Sequence, residues 1–420
     1  MAEFVSEKRV LLSNPGTKRN DVYYTQLNTT VEQAEVTYNV GRFSQALNST
    51  NFGGQALVVI PNSSLLSDMY LHLELPPLLA NQAICRGWGY GAIRSISYLM
   101  GSANVSQLQI SGQSMLQTIM QQCENSEKRS EIFRLGGEVL LDKAENVGKI
   151  PKADIMIPLP WSTACSLMDK KPFDSNVLMN PITIQITFND AASIYGGTGT
   201  RPNGFDRAEC VFKQGNFSNK AMSMRNILMA KPTLMLAYPF IHHQSFSPAN
   251  FTVVDPLNPT NAVLQSFINA DLLAITLGIV ETGSLRPALA ADSPSPFNYV
   301  DLTDVELKFN GLVMNNTPGD LLKLVNLKGT PVGANYFHND IISAGSTDSN
   351  PVDTYVYTFD FSRIRSLCFE GEYQNVRRIG NQVLELNFKV PAAGTYTIFA
   401  TYHYNGVAEL ARGQTNIFFN

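Results

Sequence analysis

Leu65-Leu-Ser-Asp-Met-Tyr-Leu-His-Leu-Glu-Leu-Pro76 alternates apolar and polar side chains. That period of two marks a β-strand with one face in a core and the other toward water. About 205 positions later, Ala270-Asp-Leu-Leu-Ala-Ile-Thr-Leu-Gly-Ile-Val-Glu281 has the same character. Further landmarks follow in the same order. Ile93–Gly101 answers to Thr303–Gly311, Pro181–Phe188 to Gln382–Lys389, and Thr233–Tyr238 to Thr397–Tyr402. A repeat this long is a duplicated domain rather than a solenoid. The expectation is two similar β-domains in tandem.

The chain has 420 residues, room for two domains of about 200 each. Strands with turn signals between them fill most of it: Ala56–Ile60, Met69–Leu75, Ile182–Phe188, Leu234–Phe240, Leu272–Val280, Val305–Phe309, Thr354–Phe361, Val383–Val390 and Thr395–Tyr402. Gln113–Arg134 reads as helical, with Met115, Leu116, Ile119, Met120 and Cys123 on one stripe and a break at Glu124–Glu127. The domain junction falls near His242-His243-Gln244-Ser245, where the strand Leu234–Ile241 is expected to end. The division is therefore an arm over 1–22, a first domain over 23–243 and a second over 244–420.

Charged residues make up only 16% of the chain, against about 25% in ordinary globular proteins. A surface poor in Lys, Glu and Asp suits a chain that buries much of its outside in permanent contacts. It suits a mildly polar secreted β-protein equally well. The net charge of −4 argues against the whole chain being a nucleic-acid binder. Locally, Lys8, Arg9, Lys18 and Arg19 outnumber Glu3 and Glu7, so the arm could touch an anionic membrane or genome; a solvated terminus is the plainer reading. The first residues lack a basic start followed by an apolar run, so export through a signal peptide is not expected. No stretch approaches the roughly 20 apolar residues of a membrane-spanning helix.

Cys85, Cys123, Cys165, Cys210 and Cys368 are odd in number and scattered, which argues against a disulfide framework or a zinc site and for reduced, buried thiols. Seven Asn-x-Ser/Thr sequons begin at Asn28, Asn48, Asn62, Asn104, Asn216, Asn250 and Asn315. They are read as compositional rather than as glycan sites.

Catalytic motifs are missing. There is no Gly-x-Ser-x-Gly, His-Glu-x-x-His or Walker sequence. Gly196-Gly197-Thr198-Gly199-Thr200 leads into Arg201-Pro202 and reads as a flexible loop. His242 and His243 are strand neighbours pointing to opposite faces, which cannot share a metal. His72 and His403 sit in alternating strands, and His338 stands alone. Glu370 and Glu372 could form an acidic pair, but Arg377 and Arg378 supply ion-pair partners. No catalytic, metal-binding or cofactor-binding residue is assigned, and the chain is not expected to be an enzyme.

The order and spacing of these landmarks resemble the double jelly-roll major capsid proteins of icosahedral viruses. Those include tailless phages, adenovirus-lineage and polinton-like viruses, virophages and large DNA viruses. Three runs carry the resemblance. The first is Ile157-Pro158-Leu159-Pro160-Trp161, then Pro172-Phe173-Asp174-Ser175 and Asn180–Phe188. The second is Tyr355-Val356-Tyr357-Thr358-Phe359-Asp360-Phe361-Ser362 leading to Arg377–Val390. The third is Gly91–Gly112. The match runs from Tyr23 to Asn420 and departs at Cys368-Phe369-Glu370-Gly371-Glu372, where the family often has Pro-Ser-Gly.

The resemblance implies an all-β chain of two tandem eight-stranded jelly rolls with short helices in the loops. It further implies pseudo-hexagonal homotrimers tiling a virion shell, made in the host cytoplasm or nucleus. The partners would be neighbouring capsomers, penton and minor capsid proteins, with no small-molecule substrate, and a membrane or genome reached through the arm. Long loops over Ile194–Asn216 and Pro318–Asn350 would crown the tile or clasp a neighbour. Two other readings stand beside it. A carbohydrate- or receptor-binding spike would show aromatic or acidic loop clusters. A tandem-sandwich glycan hydrolase would need a tryptophan-lined acidic cleft, and only Trp88 and Trp161 exist.

Overall fold

The Leu65 stretch is a strand in the computed structural model of the chain. Leu66, Met69, Leu71, Leu73 and Leu75 are all buried, while Tyr70, His72 and Glu74 look outward, half-covered. A bulge accounts for the break in alternation between Leu66 and Met69. The strand's partner shifts register between Phe212 and Gln214, so two residues oppose one and both flanks still face the core.

The structure describes residues 35–42, 51–61, 65–77, 82–84, 88–99, 106–110, 112, 140–141, 154–159, 173–174, 180–197, 199–216, 235–245, 249–265, 272–282, 299–300, 302–309, 312–318, 357–360, 383–411 and 414–419. In the first half these form β1 (Glu35–Arg42), β2 (Gln55–Ile60), β3 (Leu65–Glu74), β4 (Gln82–Ile84), the short helix α1 (Trp88–Gly91), β5 (Ile93–Leu99) and β6 (Ser106–Ile110). There follow β7 (Leu140–Leu141), β8 (Asp154–Pro158), β9 (Phe173–Asp174), β10 (Ile182–Phe188), β11 (Tyr195–Gly197) and β12 (Arg207–Asn216). Next come β13 (Met235–Ser245), β14 (Ala249–Val253), β15 (Thr260–Gln265), β16 (Leu272–Glu281) and β17 (Asp304–Phe309). The chain closes with β18 (Leu312–Pro318), β19 (Tyr357–Asp360), β20 (Val383–Lys389), β21 (Gly394–Ala411) and β22 (Gln414–Phe419).

Pairing sorts these strands into two copies of one topology. In the first half, one sheet runs β1-β12-β3-β8 and the other β2-β10-β5-β6. In the second half, one runs β14-β21-β16-β19 and the other β15-β20-β17-β18. If the eight main strands of each half are numbered in chain order, both halves read 1-8-3-6 over 2-7-4-5. That order is the jelly roll, two Greek keys folded into a sandwich. The chain is all-β, two jelly rolls in tandem.

The cores follow from the alternation. Ile182, Ile184, Ile186 and Phe188 of β10 are buried, as are Leu384, Leu386, Phe388 and Val390 at the same places around β20. In the second roll these join Ile275, Leu277, Ile279, Val305, Leu307, Ile398, Tyr402 and Tyr404 in one cluster drawn from both sheets. Each such side chain removed from water is worth about 1.5–3 kcal/mol. Inside this core the Tyr357 hydroxyl accepts a bond from the Leu302 backbone N–H at 2.8 Å, satisfying a buried donor that no strand partner reaches.

Four expectations need correction. Arg207–Asn216, expected within a long loop, is the central strand β12, paired to β1 and β3. Its core face is Ala208, Cys210 and Phe212, too small at its start to read as a strand beside Arg207, Glu209 and Lys213. The same strand, not Thr233–Tyr238, is therefore the counterpart of β21 in the duplication. Gly196 and Gly197, read as flexible, lie in β11 and pair with β4.

The strand expected to stop at Ile241 runs on through His242 and His243 to Ser245. It pairs with β21 from Met235↔Ala411 to Ser245↔Thr401, and β14 carries the same pairing on from Ala249↔Ile398 to Val253↔Gly394. Residues 235–245 and 249–253 thus pair along 394–411 as one long antiparallel ribbon, with the register of β14 offset by one residue from that of β13. Its far end is flanked by β22, and Gln244 meets Gln109 of β6. One sheet therefore runs from the first roll through the ribbon into the second. The arm, the Gln113–Arg134 helix and the Pro318–Asn350 loop beyond its first residue lie outside the described residues.

Candidate assembly surface

In each roll the 1–2, 3–4, 5–6 and 7–8 connections leave from one end, as the registers require. Glu74 faces Arg207, Phe188 faces Ile93, and Thr187 faces Gln55. In the first roll this end is built up. β11, β4 and β7, one from each of three connections, pair into a small accessory sheet. Phe52 packs on Tyr195 and Phe205 with ring centroids 5.9 and 4.6 Å away, and Phe205 packs on Phe188 at 4.8 Å. The Asn189 side-chain amide donates to the Gly91 carbonyl at 2.8 Å, tying the 7–8 connection to α1. Gly53 turns the chain at a φ of 76°, and a Cβ there would come within 2.9 Å of Asp190 Oδ1. Only glycine is comfortable there.

In the second roll the 7–8 connection is a short turn after Val390, set beside the 1–2 turn. There Asp255 Oδ1 accepts from the Leu257 N–H at 2.9 Å and Oδ2 accepts from Asn258 at 2.8 Å.

Four sheet faces look away from the two cores, and they differ. The outer face of β14-β21-β16-β19 is itself buried: Thr276, Val280, Thr397, Phe399 and Thr401 are all covered. Thr397 donates to Asn250 Oδ1 at 2.8 Å there and lies 3.1 Å from the Thr282 hydroxyl. The outer face of β1-β12-β3-β8 is charged. Glu209 lies 3.8 Å from His72 Nδ1 and 3.7 Å from Arg207 Nε, with Glu74 and Lys213 nearby.

The outer face of β15-β20-β17-β18 is charged along its two central strands, β20 and β17, while Val263 of β15 and Val313 of β18 are 58% and 47% exposed. Glu306 Oε2 accepts from Lys308 Nζ at 2.6 Å and from the Asn387 amide at 2.8 Å, and Asn387 Oδ1 accepts from Asn261 at 2.7 Å. Lys389 lies 3.7 Å from Asp304. The hydrogen bonds from Lys308 and then Asn387 hold the Glu306 carboxyl below its usual range.

The fourth face, on β2-β10-β5-β6, is uncharged. Ser95, Ser97 and Leu99 of β5, Thr183, Gln185 and Thr187 of β10, and Leu57 and Val59 of β2 make it up, with Val59 44% exposed. The four strands carry a single charged residue, Arg94, at a bulge near the loop end.

No group of three or more metal-ligating side chains occurs among the described residues. Trp88 is buried in α1 and cannot line a sugar groove. Cys210 is a free, buried thiol, as expected, and burial pushes it up to about 12. His403 lies in β21 and His72 in β3, both sheet positions. Glu370, Glu372, Arg377, Arg378, His338 and Trp161 lie outside the described residues, as do the four other cysteines. The contrast between faces was beyond sequence reading, since it needs the pairing registers of both rolls.

Two jelly rolls in one chain define the double jelly-roll class, and the solved structures similar to this chain agree. No family model and no curated protein matches it. VP54 of the virus PBCV-1, as fitted into a reconstruction of the virophage Sputnik, superposes with a TM-score of 0.66 over 92% of this chain and 97% of that one, at 10% identity. A chain of the PBCV-1 virus capsid gives 0.63 over 92% and 97%, at 11% identity. The Faustovirus major capsid protein gives 0.54 over 90% of both, at 9% identity. At such identities the likeness is one of fold, and it extends over nearly the full length of each chain.

Proposed function

We propose that this protein is the major capsid protein of an icosahedral virus, a structural subunit rather than an enzyme. The observation that carries the reading is the doubling itself. One chain holds two jelly rolls of identical strand order, spliced by a common sheet, over the same span as capsid proteins of that build. Three such chains around an axis place six similar wedges in a ring, a pseudo-hexagonal homotrimer able to pack against many neighbours.

The division into an arm over 1–22 and rolls over 23–243 and 244–420 belongs to this reading. So do contacts with neighbouring capsomers and with penton and minor capsid proteins, and an arm whose Lys8, Arg9, Lys18 and Arg19 meet an internal membrane or genome. The location is the virion shell, supplied from the host cytoplasm or nucleus.

Light scattering on the purified chain, with negative-stain images of the same peak, tests the reading. A three-chain particle of about 140 kDa (three chains of 46.3 kDa) with a hexagonal outline is expected. A stable monomer would overturn it.

A further inference from the structure

We infer that the uncharged outer face of the first roll, on β2-β10-β5-β6, is buried against a second copy of this chain. The inference rests on the capsid reading and deepens it by naming the surface through which copies join.

The duplication supplies an internal control. Matched by core alternation and register, Ser95, Ser97 and Leu99 stand where the second roll has Asp304, Glu306 and Lys308. Thr183, Gln185 and Thr187 stand where it has Glu385, Asn387 and Lys389. The cross-strand pairing of these six positions is the same in both rolls, and in both they alternate with buried apolar residues along their strands. Five charges at six positions on one roll are replaced by none on the other. The strand fold does not call for that difference, because the second roll carries the charges without disrupting its sheet.

The physical consequence concerns desolvation. Taking the second roll's face out of water would strip Glu306, Lys308, Asp304 and Lys389 of hydration, and Glu306 already has Lys308 and Asn387 as partners within the face. The first roll's face loses little on burial, since interface centres are depleted in such charges. Its hydroxyls and Gln185 amide each donate and accept, so they can pair with an unmodified copy of the same chain.

Each copy carries a formal charge of −4, and an uncharged contact surface adds no like-charge contact to that small net repulsion. Four strands about 4.8 Å apart and about 20 Å long give a patch of roughly 400 Å². That is about half of the roughly 800 Å² per partner in a stable interface. The face is thus the centre of the contact, with flanking residues as its rim.

The test transplants the second roll's chemistry. Ser97→Glu with Leu99→Lys, beside the native Gln185, rebuilds the Glu306–Lys308–Asn387 arrangement on the first roll. The reciprocal variant is Glu306→Ser with Lys308→Leu, and thermal melts verify folding of both. The transplant is expected to raise the concentration for half-association at least tenfold, while the reciprocal variant associates like the parent.

Independently, Thr187→Cys and Lys389→Cys are exposed to a thiol reagent and read by peptide mass. In the assembled parent background, Thr187→Cys should label at least tenfold more slowly than Lys389→Cys. A transplant that assembles like the parent, or equal labelling at the two positions, overturns the inference and leaves the capsid reading standing. So does protection of Thr187→Cys that depends on adding a different protein. A monomeric parent overturns the capsid reading itself.

Discussion

At the scale of single residues, a few groups carry tasks that can be tested one at a time. The Tyr357 hydroxyl is the acceptor for the buried Leu302 N–H. Tyr357→Phe keeps the ring and orphans that donor, so a loss of about 1–3 kcal/mol is expected in denaturant unfolding. Glu306 offers a pH signature. Its folded carboxyl is held low by Lys308 and Asn387, whereas the unfolded chain returns to about 4.3. A depressed carboxyl stabilises above its unfolded value, and that contribution is lost as pH falls through the folded value. Glu306→Gln should therefore cost about 0.2–1 kcal/mol at pH 7, typical of a surface pair, and the gap from the parent should close on acidification below pH 4. A gap unchanged from pH 7 to pH 3 would show that the pair contributes nothing. Cys210, pushed up to about 12 in the core, should resist alkylation at pH 8 in the native protein and react fully once unfolded, as peptide mass mapping would read.

At the scale of elements, the ribbon that β13 and β14 form with β21 bears on how the chain should unfold. Neither roll owns it: β14 and the start of β21 close the second roll, while β13 reaches β6 of the first. Calorimetry of the full chain should give one transition, and two separated transitions would show that the ribbon does not couple the rolls. The elements also differ in how far they were legible in the sequence. β10 and β20 were, because Ile182, Ile184 and Ile186 or Leu384, Leu386 and Phe388 alternate strictly with polar neighbours. β12 was hidden by small inward residues and by its adjacency to a glycine run. The end of β13 was misplaced because histidines resemble a junction, although the cross-strand pairs His242↔Tyr404 and His243↔His403 keep them in the sheet. Short-range pattern reveals a strand that buries bulky aliphatics. It cannot reveal one whose place is secured by partners some 140 residues away, as Cys210 is by Leu71.

At the scale of the whole molecule, the duplication was readable because strand order survives where residue identity does not. The first three landmark pairs fall on equivalent strands: β3 and β16, β5 and β17, β10 and β20. What those strands present to the outside was not readable, since outward positions are free to diverge once the core is satisfied. In the proposed shell, deletion of Met1–Lys18 should leave the three-chain particle intact in light scattering and reduce the yield of closed shells in electron micrographs. Normal shells from the truncated chain would remove the arm from assembly.

The ribbon has one more consequence, and it is mechanical. Two rolls joined by a single flexible tether would come apart under strain by bending at that tether. Here a load along the strand axis meets the bonds between β13 and β21 side by side in shear, so they must yield together rather than peel singly. A wall built from such tiles would bend at the seams between subunits before any subunit opened.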